Sequence, residues 1–182
     1  SSLFDYRISQ QDGGILRVAA LLGKACVLFN AGKFAEALEL YRKVLRSDPD
    51  CGAGVRVGMG LCFARLNRAA KSTAAFERAR ELDPGNVPAI VGCAVHEMNK
   101  RTKEGYSRAA KLLMQGQKLT KTDPLVLNLL SNILFTKKEY QKAKLYASHA
   151  QRGSEGDRYE PILAESKYNL ARVYHVRNEY DD

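Results

Sequence analysis

The chain has 182 residues, 45% of them hydrophobic and 27% charged, an ordinary globular composition, with a net charge of +9 from 29 basic and 20 acidic residues. No apolar run approaches the roughly 18 residues of a membrane span. Cysteines stand at 26, 51, 62 and 93 with no CxxC and no histidine at ligand spacing, which argues against a zinc site or a disulfide framework and for a reducing compartment.

In chain order, Leu3-Phe4-Asp5-Tyr6-Arg7-Ile8 reads as the tail of a helix and Asp12-Gly13-Gly14 as its loop, so 1–14 is expected to end a preceding repeat. Span 15–50 then carries a first helix through Leu21-Leu22-Gly23-Lys24-Ala25, a turn at Gly32-Lys33-Phe34, and a second helix with Ala37, Tyr41 and Val44 before Asp48-Pro49. Span 51–85 repeats the plan with Met59-Gly60-Leu61, then Ser72, Phe76 and Ala79, then Asp83-Pro84. Span 86–124 does so with Cys93-Ala94-Val95, then Ala109, Leu113 and Gly116, and closes at Asp123-Pro124; Lys100-Arg101-Thr102-Lys103-Glu104-Gly105 reads as an insertion between its helices. Span 125–157 has Leu130-Ser131-Asn132, Lys138-Glu139-Tyr140 and then Ala143, Ala147 and Ala150. Span 158–182 supplies a further first helix, about 161–176, through Leu170-Ala171-Arg172, and stops where the second helix is due, so a segment of a longer array is expected.

The small residues at 25, 60, 94, 131 and 171 are separated by 35, 34, 37 and 40 positions. Small residues at fixed points let two helices approach closely, and a neighbouring aromatic fills the remaining gap. This spacing, with the small-residue positions and the Asp-Pro pairs, resembles the tetratricopeptide repeat, a helix-turn-helix unit of about 34 residues. Lys24 and Arg56 depart from the family pattern, standing where an apolar or aromatic residue is usual. The resemblance implies an all-α fold, a right-handed superhelical solenoid of antiparallel helix pairs, with nine or more helices and no sheet.

It also implies a partner-binding groove lined by one face of each first helix. Here that face holds Leu22, Cys26, Phe29 and Asn30, then Val57, Leu61 and Arg65, then Val91, Val95 and Met98, then Asn128, Asn132 and Phe135, then Tyr168, Arg172 and His175. Chaperone-binding members carry Lys and Asn where Leu22 and Cys26 stand, so their carboxylate clamp is not expected. The lining suits an extended or helical segment of another protein, although the apolar positions suit a core as well. Asn128 and Asn132 lie one turn apart, and the expectation is that both amides pair with a bound backbone.

Eleven basic residues between Lys100 and Lys144 face three acidic ones, a local excess of 11 − 3 = +8. The candidate basic patch is Lys100, Arg101, Lys103, Arg108 and Lys111, either a solvated helix face or a surface for an acidic partner or nucleic acid. Gly52, Gly54, Gly58 and Gly60 match no phosphate loop, and His96, His149 and His175 pair with no plausible nucleophile. No catalytic, cofactor or metal site is expected, and no small-molecule substrate.

Four strings, Leu21-Leu22-Gly23-Lys24-Ala25-Cys26, Val55-Arg56-Val57-Gly58-Met59-Gly60-Leu61-Cys62, Val126-Leu127-Asn128-Leu129-Leu130-Ser131-Asn132 and Tyr168-Asn169-Leu170-Ala171-Arg172-Val173-Tyr174-His175, go beyond the repeat consensus. They resemble the family of large tetratricopeptide scaffolds in the RNA polymerase II-associated Paf complex. That resemblance implies a non-enzymatic nuclear protein that organises Paf-complex subunits and meets the polymerase elongation machinery, in transcription elongation and histone modification. The alternative class is a basic helical-repeat protein that binds RNA or DNA; no repeated base-reading pair stands at equivalent positions to support it.

Overall fold

In the computed structural model, residues 17–154 and 160–177 are described, and they form nine α-helices and no strand. These are α1 (17–30), α2 (Phe34–Ser47), α3 (Ala53–Arg65), α4 (Ala69–Leu82), α5 (Val87–Asn99), α6 (Lys103–Leu119), α7 (Pro124–Thr136), α8 (Tyr140–Gly153) and α9 (Glu160–Arg177). The tails at 1–16 and 178–182, with the expected helix tail at 3–8, lie outside the described residues.

The turns explain the pairing. Gly32, Asn67, Arg101 and Lys138 each stand two residues past a first helix with φ of 78, 56, 53 and 61°. In three of them the next residue's N–H reaches back to a helical carbonyl: Lys33 to Leu28, Arg68 to Phe63 and Glu139 to Leu134, at 2.8–2.9 Å. This left-handed closure satisfies the open carbonyls of the helix end and reverses the chain within three residues, which makes the two helices antiparallel neighbours.

The chain divides into two compact units, 1–92 and 93–182, with the division inside α5. In the first, Ala25, Ala37, Leu38, Tyr41, Val44, Cys51, Val55, Cys62 and Phe63 form a core shared by α1, α2 and α3. The Phe76 ring of α4 lies between two glycines. A Cβ would come within 2.8 Å of it at Gly60 on α3 and 2.6 Å at Gly92 on α5, so both positions need glycine. Arg56, unusual for the family, clasps the loop that leaves α2 by donating to the Cys51 and Pro49 carbonyls at 2.7 and 3.1 Å.

In the second unit α8 packs against both α7 and α9, and α9 also touches α7. Ala109, Leu113, Ala143, Ala147 and Ala150 are fully buried, while Ala171 is exposed.

Two readings are corrected here. Lys100–Gly105 is not a loop insertion, because the turn at 100–102 has three residues like the others and α6 is instead longer, 17 residues against 14 in α2, α4 and α8. Its start is fixed by Thr102, whose hydroxyl accepts from the Gly105 N–H at 3.0 Å. Asp123-Pro124 does not close α6, which ends at Leu119: Pro124 is the first residue of α7 and Asp123 caps it, accepting from the Val126 N–H at 3.0 Å.

Candidate functional site

In the first unit the predicted lining divides by burial. Val57 is buried, Leu22, Phe29 and Val91 are half-buried, and Cys26, Asn30, Leu61 and Arg65 are exposed. Phe29 meets Phe34 edge to face at 5.2 Å, and the Arg65 guanidinium lies 4.7 Å over the Phe34 ring. The Cys26 thiol points back to the Tyr41 hydroxyl at 3.8 Å, and burial, then that contact, raises the Tyr41 phenol above its ordinary pKa. Burial likewise pushes the Cys62 thiol up to about 11, which keeps it protonated and inert.

The second unit repeats the aromatic arrangement. Phe135 meets Tyr140 edge to face at 5.4 Å, five residues apart across the turn like Phe29 and Phe34. Here the cation is Arg172, 4.0 Å over Phe135 and 5.7 Å from the Tyr168 ring. Arg172 donates to Asn132 Oδ1, while its Nε is buried and has no hydrogen-bond partner among the described residues. Burial holds the Arg172 pKa below the usual arginine value, with Tyr168 opposing. Tyr168 is 66% exposed and Val95 sits at 36%.

Asn128 is not on this open face. It is 1% exposed, its Nδ2 donates to Glu165 Oε2 at 2.9 Å, and its Oδ1 accepts from Asn169 Nδ2 at 2.6 Å. Both ends of the amide therefore join α7 to α9 instead of meeting a partner. Asn132, one turn on, is half-buried and holds Arg172. The sequence carried a signal for the arginine–aromatic stacks in the two five-residue aromatic spacings, but nothing in it named the arginine that covers each.

Of the basic patch, Lys100 and Arg108 both pair with Glu97, and those contacts, the Lys100 hydrogen bond foremost, hold its carboxyl below the ordinary range. Arg101, Lys103 and Lys111 are exposed. Among the described residues no group of His, Cys, Asp and Glu could hold a metal, and no helix is long and apolar enough to cross a membrane.

A family model described as "Tetratricopeptide repeat" matches residues 22–87. These residues belong to the tetratricopeptide-repeat family. The chain is similar to the Protein CTR9 homolog of Arabidopsis thaliana, 34% identical over 90% of this chain, and to the RNA polymerase-associated protein CTR9 of Caenorhabditis elegans, 32% identical over 98% of it. The chain spans about 15% of the length of these relatives. Among solved structures, the anaphase-promoting-complex hetero-tetramer Cut9-Hcn1 matches 90% of this chain and 31% of its own, at 22% identity and a TM-score of 0.79, which shows the tetratricopeptide fold alone. Repeat family, fold and relatives together support a protein-interaction role.

Proposed function

We propose that this chain is part of a nuclear tetratricopeptide scaffold that holds subunits of the Paf complex together during transcription elongation and the histone modification coupled to it. The observation that carries the reading is the similarity to CTR9 proteins over 90% and 98% of the chain. Stacked aromatics and arginines, drawn from first helices and the starts of second helices in each unit, support a surface that receives protein segments. The deciding experiment is affinity capture from nuclear extract with the 182-residue chain as bait. Recovery of Paf-complex subunits above an unrelated tetratricopeptide control is the expected result. Their absence from a correctly folded bait overturns the assignment to that complex.

A further inference from the structure

Arg172 is a cation prepared for an anion that the described residues do not supply. A guanidinium offers five N–H donors, and here one acceptor is in place, Asn132 Oδ1. Its Nε is withdrawn from the surface and meets no acceptor among the described residues. None of the ion pairs among the described residues includes it. Arg80 Nε is without a partner among the described residues too, but no ring among them is recorded against Arg80, whereas Arg172 has Phe135 at 4.0 Å and Tyr168 at 5.7 Å. Both rings lie close to the guanidinium, and Asn132 holds one of its nitrogens. A fork held this way is matched by the two oxygens of one carboxylate.

We propose that Arg172, with Asn132, Phe135 and Tyr168, forms a receptor for a single Asp or Glu side chain on an acidic segment of a partner protein. This deepens the scaffold reading and rests on it. The site lies within the second unit, on α7 and α9. The aromatic walls lower the local dielectric, which strengthens a charge-assisted hydrogen bond relative to one made in water. The exposed Tyr168 ring adds apolar area for a neighbouring side chain of the same segment. A nucleic-acid backbone is the poorer match. It is bound by several cations in line, and here the described residues bring one arginine to the Phe135 and Tyr168 rings, with the exposed Glu165 on the same helix.

The test is a phage-displayed library of random twelve-residue peptides, selected in parallel on the 182-residue chain and on its Arg172→Gln variant. Selection on the unaltered chain is expected to enrich peptides with an Asp or Glu beside apolar residues, and the variant is expected not to. A selected peptide should lose roughly tenfold to a hundredfold in affinity on Arg172→Gln, and as much when its acid is changed to the amide. Tyr168→Ala, at an exposed position that the fold tolerates, should cost several-fold and serves if Arg172→Gln does not fold. Affinity within twofold after the acid-to-amide change overturns the proposal. So does a twelve-nucleotide single-stranded RNA that binds the chain more tightly than the selected peptides and is lost on Arg172→Gln. If the carboxylate preference is absent while Paf subunits are still captured from nuclear extract, only this inference fails. If the unaltered chain captures none of them, the scaffold reading fails independently.

Discussion

Removing the Asn128 side chain strands the buried Asn169 amide, which donates to it, and cuts its tie to the exposed Glu165. A buried polar group left without its partner costs about 1–3 kcal/mol. Asn128→Ala is therefore expected to lower stability by that amount in urea unfolding, whereas Asn132→Ala, at a half-buried position, should cost less than 1 kcal/mol. Equal losses would place both amides in the same structural role. The sequence shows two asparagines one turn apart and gives no means of telling them apart. Their fates differ because Asn169 on α9, 41 residues away, reaches one and Arg172 reaches the other. Local spacing reports a shared face and is silent about what arrives from the next repeat.

At the scale of the element, the four left-handed turn residues form a natural comparison. Gly32 has open space around its Cβ position, so Gly32→Ala tests backbone strain alone and should cost about 1 kcal/mol. Lys138 holds the same conformation with a side chain, so Lys138→Gly is expected to stabilise by about 0.5–1 kcal/mol. A thermal melt of both variants checks the pair, and shifts of the same sign would contradict the account. The α5–α6 pair carries a pH dependence through Glu97. Its pKa is depressed in the folded chain, so its contribution is complete above the ordinary carboxylate value, about 4.3, and is lost as pH falls through the lowered value. Glu97→Gln should flatten the stability profile in that acidic window and leave neutral-pH stability within about 1 kcal/mol. Helix existence was legible from small residues and turn signals. The direction in which Asp123-Pro124 acts was not, because the same dipeptide ends one helix or begins the next according to which side supplies the cap.

For the molecule as a whole, the period of the small residues was sufficient to read the all-α repeat architecture, and two of the small positions answer to a neighbouring helix, Gly60 to the Phe76 ring and Ser131 to the Ala143 carbonyl. The +9 charge is less informative than it looked, because Glu97 pairs with two members of the basic patch and Glu139 pairs with Lys142. Binding of the chain to a single-stranded RNA or a duplex DNA is expected to be weak, without sequence preference, and to fall steeply with salt. Tight binding that survives physiological salt and disappears on reversing Arg101, Lys103 and Lys111 would establish a nucleic-acid surface.

One contact inside the repeats has a consequence for how such chains change over time. Ser72 on α4 donates its hydroxyl to the Gly60 carbonyl at 2.7 Å, and Ser131 on α7 donates to the Ala143 carbonyl at 2.8 Å. Both pairs are twelve residues apart and occupy the same crossing of first and second helix, with donor and acceptor exchanged. The crossing thus specifies one hydroxyl and one bare carbonyl, and is indifferent to which helix brings which. Moving the hydroxyl across takes two steps, and either step alone passes through a crossing with none or with two. Ser131→Gly and Ala143→Ser are each expected to destabilise, and the double variant to recover about 1 kcal/mol of their summed loss in a double-mutant cycle. Strict additivity would show that the two helices register each other by shape alone.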